Sequence, residues 1–255
     1  LDKKFEFKLG NFNYELLYES RIDLNDIIGQ LHHLSFKSKL TKKLIKIFCE
    51  NKIYYMIYDD ILIGKWNLKS INFLKGKLIS LLISNFHDIE ENNWAGFLHA
   101  SIVHKSDKSF VIVGSSGSGK TTLCKLLIDA GYNLISDDIA PLNQDGTFAY
   151  FPNALSIKES GFDSILASRS NYSIYDSKTF KGKTKYLFPK NQIIKNDFFK
   201  SKIIVKIKFV ENSEFKIKYD LKIEILNEFI NDSFIPRNNH SVKSFIKWFK
   251  NCKCL

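Results

Sequence analysis

The chain has 255 residues, 44% hydrophobic and 25% charged, proportions of a folded globular protein that exclude wholesale disorder. Twelve glycines and four prolines exclude collagen-like and low-complexity architectures, and the length suits one α/β domain with an added lobe. The net charge of +11 lies in the last third: residues 1–177 balance 20 basic against 20 acidic side chains, whereas residues 178–255 carry 18 and 7.

In chain order, alternation of apolar and polar residues predicts strands at Lys4–Phe7 and Tyr14–Tyr18, then a helix at Leu24–Leu31. A meander follows, with strands Leu44–Cys49, Ile53–Tyr58 and Ile61–Trp66 and turns at Glu50-Asn51 and Asp59-Asp60. Ile71, Leu74, Leu78, Leu81 and Leu82 recur at helical spacing, so residues 68–86 read as an amphipathic helix. Polar Asp88–Asn93 marks the boundary between an N-terminal α+β lobe, residues 1–93, and a second domain, residues 94–255.

After Trp94 the pattern changes. Phe97–Val103 and Ser109–Val113 read as strands, Gly114–Gly119 as a glycine-serine loop and Thr121–Ala130 as a helix stopped by Gly131. Leu134–Ser136 is a short strand running into Asp137-Asp138. Strand, loop, helix and strand make a parallel βαβ unit with its loop at the C-terminal edge of the sheet. Phe148–Phe151 and Leu155–Ile157 read as strands, and Ile203–Val210 with Phe215–Tyr219 as a hairpin whose Lys206 and Lys208 face water. Residues 160–200 look irregular, and a last helix contains Val242, Phe245, Ile246 and Phe249, capped by Asn238, Asn239 or Ser241.

Gly114-Ser115-Ser116-Gly117-Ser118-Gly119-Lys120-Thr121 matches G-x-x-x-x-G-K-[ST] in full, with Thr122 completing the first helical turn. Its glycines let successive backbone N–H groups face phosphates, and the helix dipole adds positive potential. Lys120 suits the β- and γ-phosphates of ATP, and the Thr121 hydroxyl suits Mg²⁺. Asp137-Asp138, at the end of the next strand, supply carboxylates of Walker B type; two acids allow one metal ligand and one base. His99, 15 residues before Gly114, is by itself an ordinary strand histidine.

Taken together, Leu98-His99-Ala100, the glycine loop, Ala130-Gly131-Tyr132 and Leu134-Ile135-Ser136-Asp137-Asp138 resemble the catalytic domain of the HPr kinase/phosphorylase family. That domain shares its core with phosphoenolpyruvate carboxykinase, and the resemblance is close over residues 94–160. It implies a P-loop kinase core and ATP-dependent phosphorylation of a serine-type hydroxyl. It also implies His99 as partner of the acids, Asp137 as general base and Asp138 as the acid nearer the metal. Phe151-Pro152-Asn153-Ala154-Leu155-Ser156-Ile157-Lys158 follows the family's pattern of a basic residue after a proline-bearing strand. Lys158 is therefore a candidate phosphate or substrate contact, and Lys185 a similar one. The glycine-rich segment with Asn and Arg found in bifunctional members is absent after the acid pair. The chain looks more like short relatives, some of which modify precursor peptides such as those of lasso peptides and others small molecules.

The expected activity is a peptide or small-protein kinase using ATP and Mg²⁺. The alternatives are a small-molecule hydroxyl kinase and a nucleotide-binding regulatory module without transferase activity. Ten lysines within 178–208, against Asp197 alone, favour an acidic acceptor, while three arginines disfavour specific nucleic-acid readout. No apolar run approaches a membrane span, and the residues from Leu1 carry no apolar leader, so no membrane contact is expected. Cys49, Cys124, Cys252 and Cys254 make no disulfide framework, which fits a reducing cytoplasm. Cys252-Lys253-Cys254-Leu255 is discounted as a prenylation box, and His32-His33 and Arg237 read as helix-end and loop residues. Self-association into homo-oligomers is left open.

Overall fold

The computed structural model describes residues 1–179, 182–192, 194, 197–210, 212, 214, 216–219 and 221–255. The protein is a mixed α/β chain whose contacts divide it into two units, Leu1–Ile89 with Tyr175–Tyr186, and Glu90–Ile174 with Leu187–Leu255.

In the first unit, β1 (Lys3–Leu9), β2 (Phe12–Tyr18), β3 (Lys43–Glu50), β4 (Ile53–Tyr58) and β5 (Ile61–Asn67) pair in sequence order. The long connection carrying α1 (Asn25–Leu31) lets β2 and β3 run parallel; the other neighbours are antiparallel. The expected meander is present. The first turn falls one residue later than expected, at Asn51 and Lys52 (φ 48° and 64°), because Glu50 still pairs with Ile53; the second is at Asp59 and Asp60 (45° and 65°) as expected. That backbone matches the twist of paired strands. α2 (Ile71–His87) follows a 3-10 turn and buries Leu74, Leu78 and Leu82 of the expected stripe together with Ile79 and Ile83, whereas Ile71 and Leu81 are half-buried.

The second unit opens with β6 (Trp94–Leu98), β7 (Ser101–Lys105), β8 (Lys108–Val113), α3 (Lys120–Asp129) and β9 (Asn133–Ser136). Then come β10 (Ala140–Asn143), β11 (Thr147–Ala149), β12 (Leu155–Lys158) and a 3-10 segment, Glu159–Asn171. The chain then passes through β13 (Tyr172–Thr179) and β14 (Gly182–Pro189), most of whose residues group with the first unit, and returns as β15 (Phe198–Lys200), β16 (Ile203–Lys206), α4 (Lys222–Asp232), α5 (Asn239–Lys250) and β17 (Lys253–Cys254). Three sheets result, ordered β17-β16-β8-β7-β9, β15-β11-β10-β6 and β12-β14-β13.

Several expectations are corrected. Phe97–Val103 is not one strand: β6 and β7 belong to different sheets, and the chain turns between them at His99-Ala100, where Ala100 N donates to Leu98 O at 2.8 Å. β8 and β9 are parallel, but β7 lies between them, antiparallel to both, so the βαβ unit skips a strand. The described residues of 160–200 are not irregular: they include a 3-10 segment and three strands. Lys183 and Lys185 occupy the more exposed alternate positions of β14 while Thr184 and Tyr186 are buried, and the lysines mask the strand's apolar pattern.

β16 forms no hairpin with residues 216–219; Glu211, Ser213 and Phe215 of that expectation lie outside the described residues. Instead β16 is an inner strand, parallel to both β8 and β17, so its backbone groups are already paired. Lys206 does not simply face water: it pairs with Glu224 at 3.3 Å and Glu228 at 3.0 Å. α4 was not expected from sequence; Ile225 and Phe229, four apart, seat it on the core. α5 has the expected cap, Asn238 accepting from Ser241 N at 2.8 Å. The contacts also place Tyr175–Tyr186, within the span 94–255 read as one domain, with the first unit, where Tyr175 stacks on His32 at 3.7 Å.

All four cysteines are free and buried. No helix among the described residues is long and apolar enough to cross a membrane.

Candidate active site

Because β7 is antiparallel to its neighbours, its first residue lies at the same sheet edge as the last residues of β8 and β9. Three connections therefore open from one edge: His99-Ala100 before β7, Gly114–Gly119 after β8, and Asp137-Asp138 after β9.

The loop needs its glycines. A Cβ on Gly114 would stand 2.5 Å from Ser118 Oγ and 2.8 Å from Ile207 O. Gly119, the N-cap of α3, adopts φ 94°, a left-handed conformation that side chains disfavour. No side chain caps α3, so its first N–H groups are left for another acceptor. Ser118 Oγ is buried without a hydrogen-bond partner among the described residues. Uncapped amides and an orphaned hydroxyl around a tightly curled loop fit a phosphate chain. Thr121 and Thr122 lie half-buried in the first turn of α3.

Lys120 is 8% exposed, and its ammonium is the hub of the site. It donates to Asp138 Oδ1 at 3.2 Å and lies 3.2 Å from His99 Nε2. His99 Nδ1 is 3.0 Å from the Asp138 carbonyl oxygen. A carbonyl only accepts, so Nδ1 carries the proton and Nε2 accepts from Lys120. His99 is held at its own backbone too, His99 N donating to Ser233 Oγ at 2.9 Å. It sits at the corner between two sheets rather than on a strand as expected, which lets its ring reach both Lys120 and the acid turn.

The two acids have separate environments. Asp137 is 1% exposed. Its Oδ1 accepts from Ser101 Oγ at 2.5 Å and its Oδ2 from Ser156 N at 3.2 Å. Burial, and secondarily the Asp138 charge, push its carboxyl up to about 6. Asp138 has a 45% exposed side chain. Burial works against its charge, but the Lys120 ammonium overcomes it and holds the carboxyl below its usual range. Asp138 has φ 66°, and Ile139 N donates across it to Asp137 O at 2.8 Å. This γ-turn is a strained shape that turns neighbouring carboxylates to opposite sides. Both Asp137 oxygens accept from protein donors, whereas the Asp138 side chain is the more open of the two acids.

Sequence reasoning missed the residue that fixes the turn. Asn153, 1% exposed, accepts from Asp137 N at 2.9 Å through Oδ1 and donates from Nδ2 to Asp137 O. One side-chain amide thus binds both backbone groups of Asp137, as a neighbouring strand would. The signal lay in the Phe151-Pro152-Asn153 segment, where Asn follows a proline at a strand break. Ser101 was missed because nothing local marks it.

Lys158 donates to Ser116 Oγ at 2.5 Å, so it reaches the tip of the loop. Lys185 is in the first unit, where it pairs with Asp176 at 2.6 Å. Lys181 lies outside the described residues. Arg237 is exposed beside Asn92, Asn93, Gln144, Asn238 and His240, which line one cavity. Among the described residues no three His, Cys, Asp or Glu side chains group to hold a metal. Mg²⁺ carried on phosphates needs only one or two protein ligands, and the oxygen-bearing side chains at this edge that could serve are Thr121 and Asp138.

No protein-family model matches the chain, and no curated protein matches it. Among solved structures, that of the Hpr(Ser) kinase/phosphatase from Coxiella burnetii is similar over 61% of this chain and 88% of its own, with 14% identity and a TM-score of 0.28. At these values the chemistry rests on the site's own residues.

Proposed function

We propose that the chain is a P-loop phosphotransferase that moves the γ-phosphoryl group of ATP to an alcohol, on an acidic peptide or small protein. The observation that carries the reading is the junction of Lys120, His99 and Asp138 at the mouth of an uncapped glycine loop. A turn that merely joined strand to helix would not need a nearly buried ammonium shared between a histidine and a carboxylate.

Lys120 neutralises the β- and γ-phosphates when the donor enters, and the α3 amides hold the chain of phosphates in line. Asp138, ionised and open, and the Thr121 hydroxyl would hold Mg²⁺, which supplies charge neutralisation at the phosphates. His99 keeps Lys120 and the Asp138 turn in register through its two ring nitrogens. Asp137 anchors that turn from inside, clamped by Asn153, Ser101 and Ser156. Lys158 steadies Ser116 and places a second positive charge at the loop tip. Phosphoryl transfer asks mainly for positioning and charge stabilisation, which these residues provide without a buried base. The basic character of residues 178–255 supports an acidic acceptor.

Calorimetric titration with a non-hydrolysable ATP analogue and Mg²⁺ tests the reading. Binding by the native protein and its loss in Lys120→Ala are expected; equal affinity in the two overturns it.

A further inference from the structure

Beyond its last strand residue, the chain after β16 runs on against the glycine loop. Ile207 N donates to Val113 O at 2.9 Å, and Phe209 N donates to Ser118 O at 3.0 Å. Phe209 Cβ lies 3.7 Å from where a Cβ on Gly119 would stand. Yet Phe209 as a whole is 72% exposed. Backbone hydrogen bonds thus hold a large aromatic ring in solvent beside the loop, where apolar exposure has no packing benefit.

The sheet order says which end of a bound nucleotide this ring would meet. β16 flanks β8 on one side, while β7 and β9, which bring His99 and Asp138, lie on the other. Lys120 leans toward Asp138, so the lysine-bound β- and γ-phosphates lie on the β7–β9 side of the loop. The α-phosphate, and the nucleoside attached to it, then leave toward the β16 side, over Gly119 and the start of α3.

We propose that Phe209 is the platform on which the nucleotide's base stacks. The inference rests on the nucleotide reading above and adds a binding residue outside the loop motif. A flat ring held by its backbone offers a π-face at low entropic cost, and such a face accepts any base.

The test compares two probes, Mg²⁺–ATP and Mg²⁺–tripolyphosphate, the second having phosphates but no base. In Phe209→Ala, ATP affinity is expected to fall roughly 5- to 150-fold, the range of base–aromatic stacking, with tripolyphosphate affinity unchanged. Phe209→Trp, which keeps an aromatic face, is expected to bind ATP within about threefold of the native protein. Unchanged ATP affinity in Phe209→Ala, equal losses for both probes, or a loss in Phe209→Trp as large as in Phe209→Ala overturns the inference while leaving the loop's phosphate role standing. A native protein that binds neither probe overturns the nucleotide reading and this inference with it.

Discussion

Asp137→Asn is expected to stabilise the free protein at neutral pH and to leave it unchanged in acid. The carboxyl is buried and pushed up from its ordinary value of 3.8 to about 6, burial first and the Asp138 charge second. Below 3.8 both folded and unfolded chains hold the proton. As pH rises toward 6 the unfolded chain releases it first, and above about 6 the folded chain carries a buried charge. The stability tied to this proton is therefore fully present below 3.8 and lost as pH passes through about 6. A displacement of about two pH units at about 1.4 kcal/mol each gives a penalty of about 3 kcal/mol at pH 8. Asparagine keeps the shape: its oxygen accepts from Ser156 N and its amide donates to Ser101 Oγ, so both contacts survive with the Ser101 hydroxyl turned from donor to acceptor. At about 2–4 °C per kcal/mol, the variant should melt up to roughly 10 °C higher at pH 8 and level with the native protein at pH 4. Thermal denaturation followed by circular dichroism at the two pH values is the assay. An equal difference at both pH values, or a variant that melts lower at pH 8, refutes the argument from burial.

The remaining expectations concern the site's other members. Asp138→Asn should lower phosphoryl transfer on the order of 10²-fold, whereas Asp137→Asn should retain most of it; steady-state kinetics with the opposite ranking would restore Asp137 as base. Asn153→Ala orphans Asp137 N and leaves Asp137 O only its bond from Ile139 N, and should cost about 1–3 kcal/mol, read from urea denaturation; a loss under about 0.5 kcal/mol would mean the turn holds without its clamp. Reversing Lys200 and Lys202, both exposed, to Glu should raise the KM for an acidic peptide acceptor and flatten its salt dependence while the KM for ATP stays level. If the acceptor KM does not move, those lysines only solvate the surface.

What was legible in the sequence was local. The glycine loop, the helix after it and the adjacent acids are set by residues within a few positions of one another, whose backbone preferences and spacing carry the information. The strands of the first unit were legible for the same reason, because Asn51, Asp59 and Asp60 tolerate the left-handed turns that separate alternating runs. Tertiary structure decided the rest. His99 read as a strand residue because Phe97–Val103 is continuously apolar apart from His99 and Ser101; the break appears only when β6 and β7 pair into different sheets. Which acid is sealed and which is open depends on Ser101, Asn153 and Ser156, brought to Asp137 from 36, 16 and 19 residues away. β16 was legible as a strand but not as an inner parallel one, since its partners β8 and β17 are distant in sequence. Backbone propensity acts along the chain, whereas burial, charge pairing and parallel strand pairing act across it, and the division of labour at this site is set by the second group.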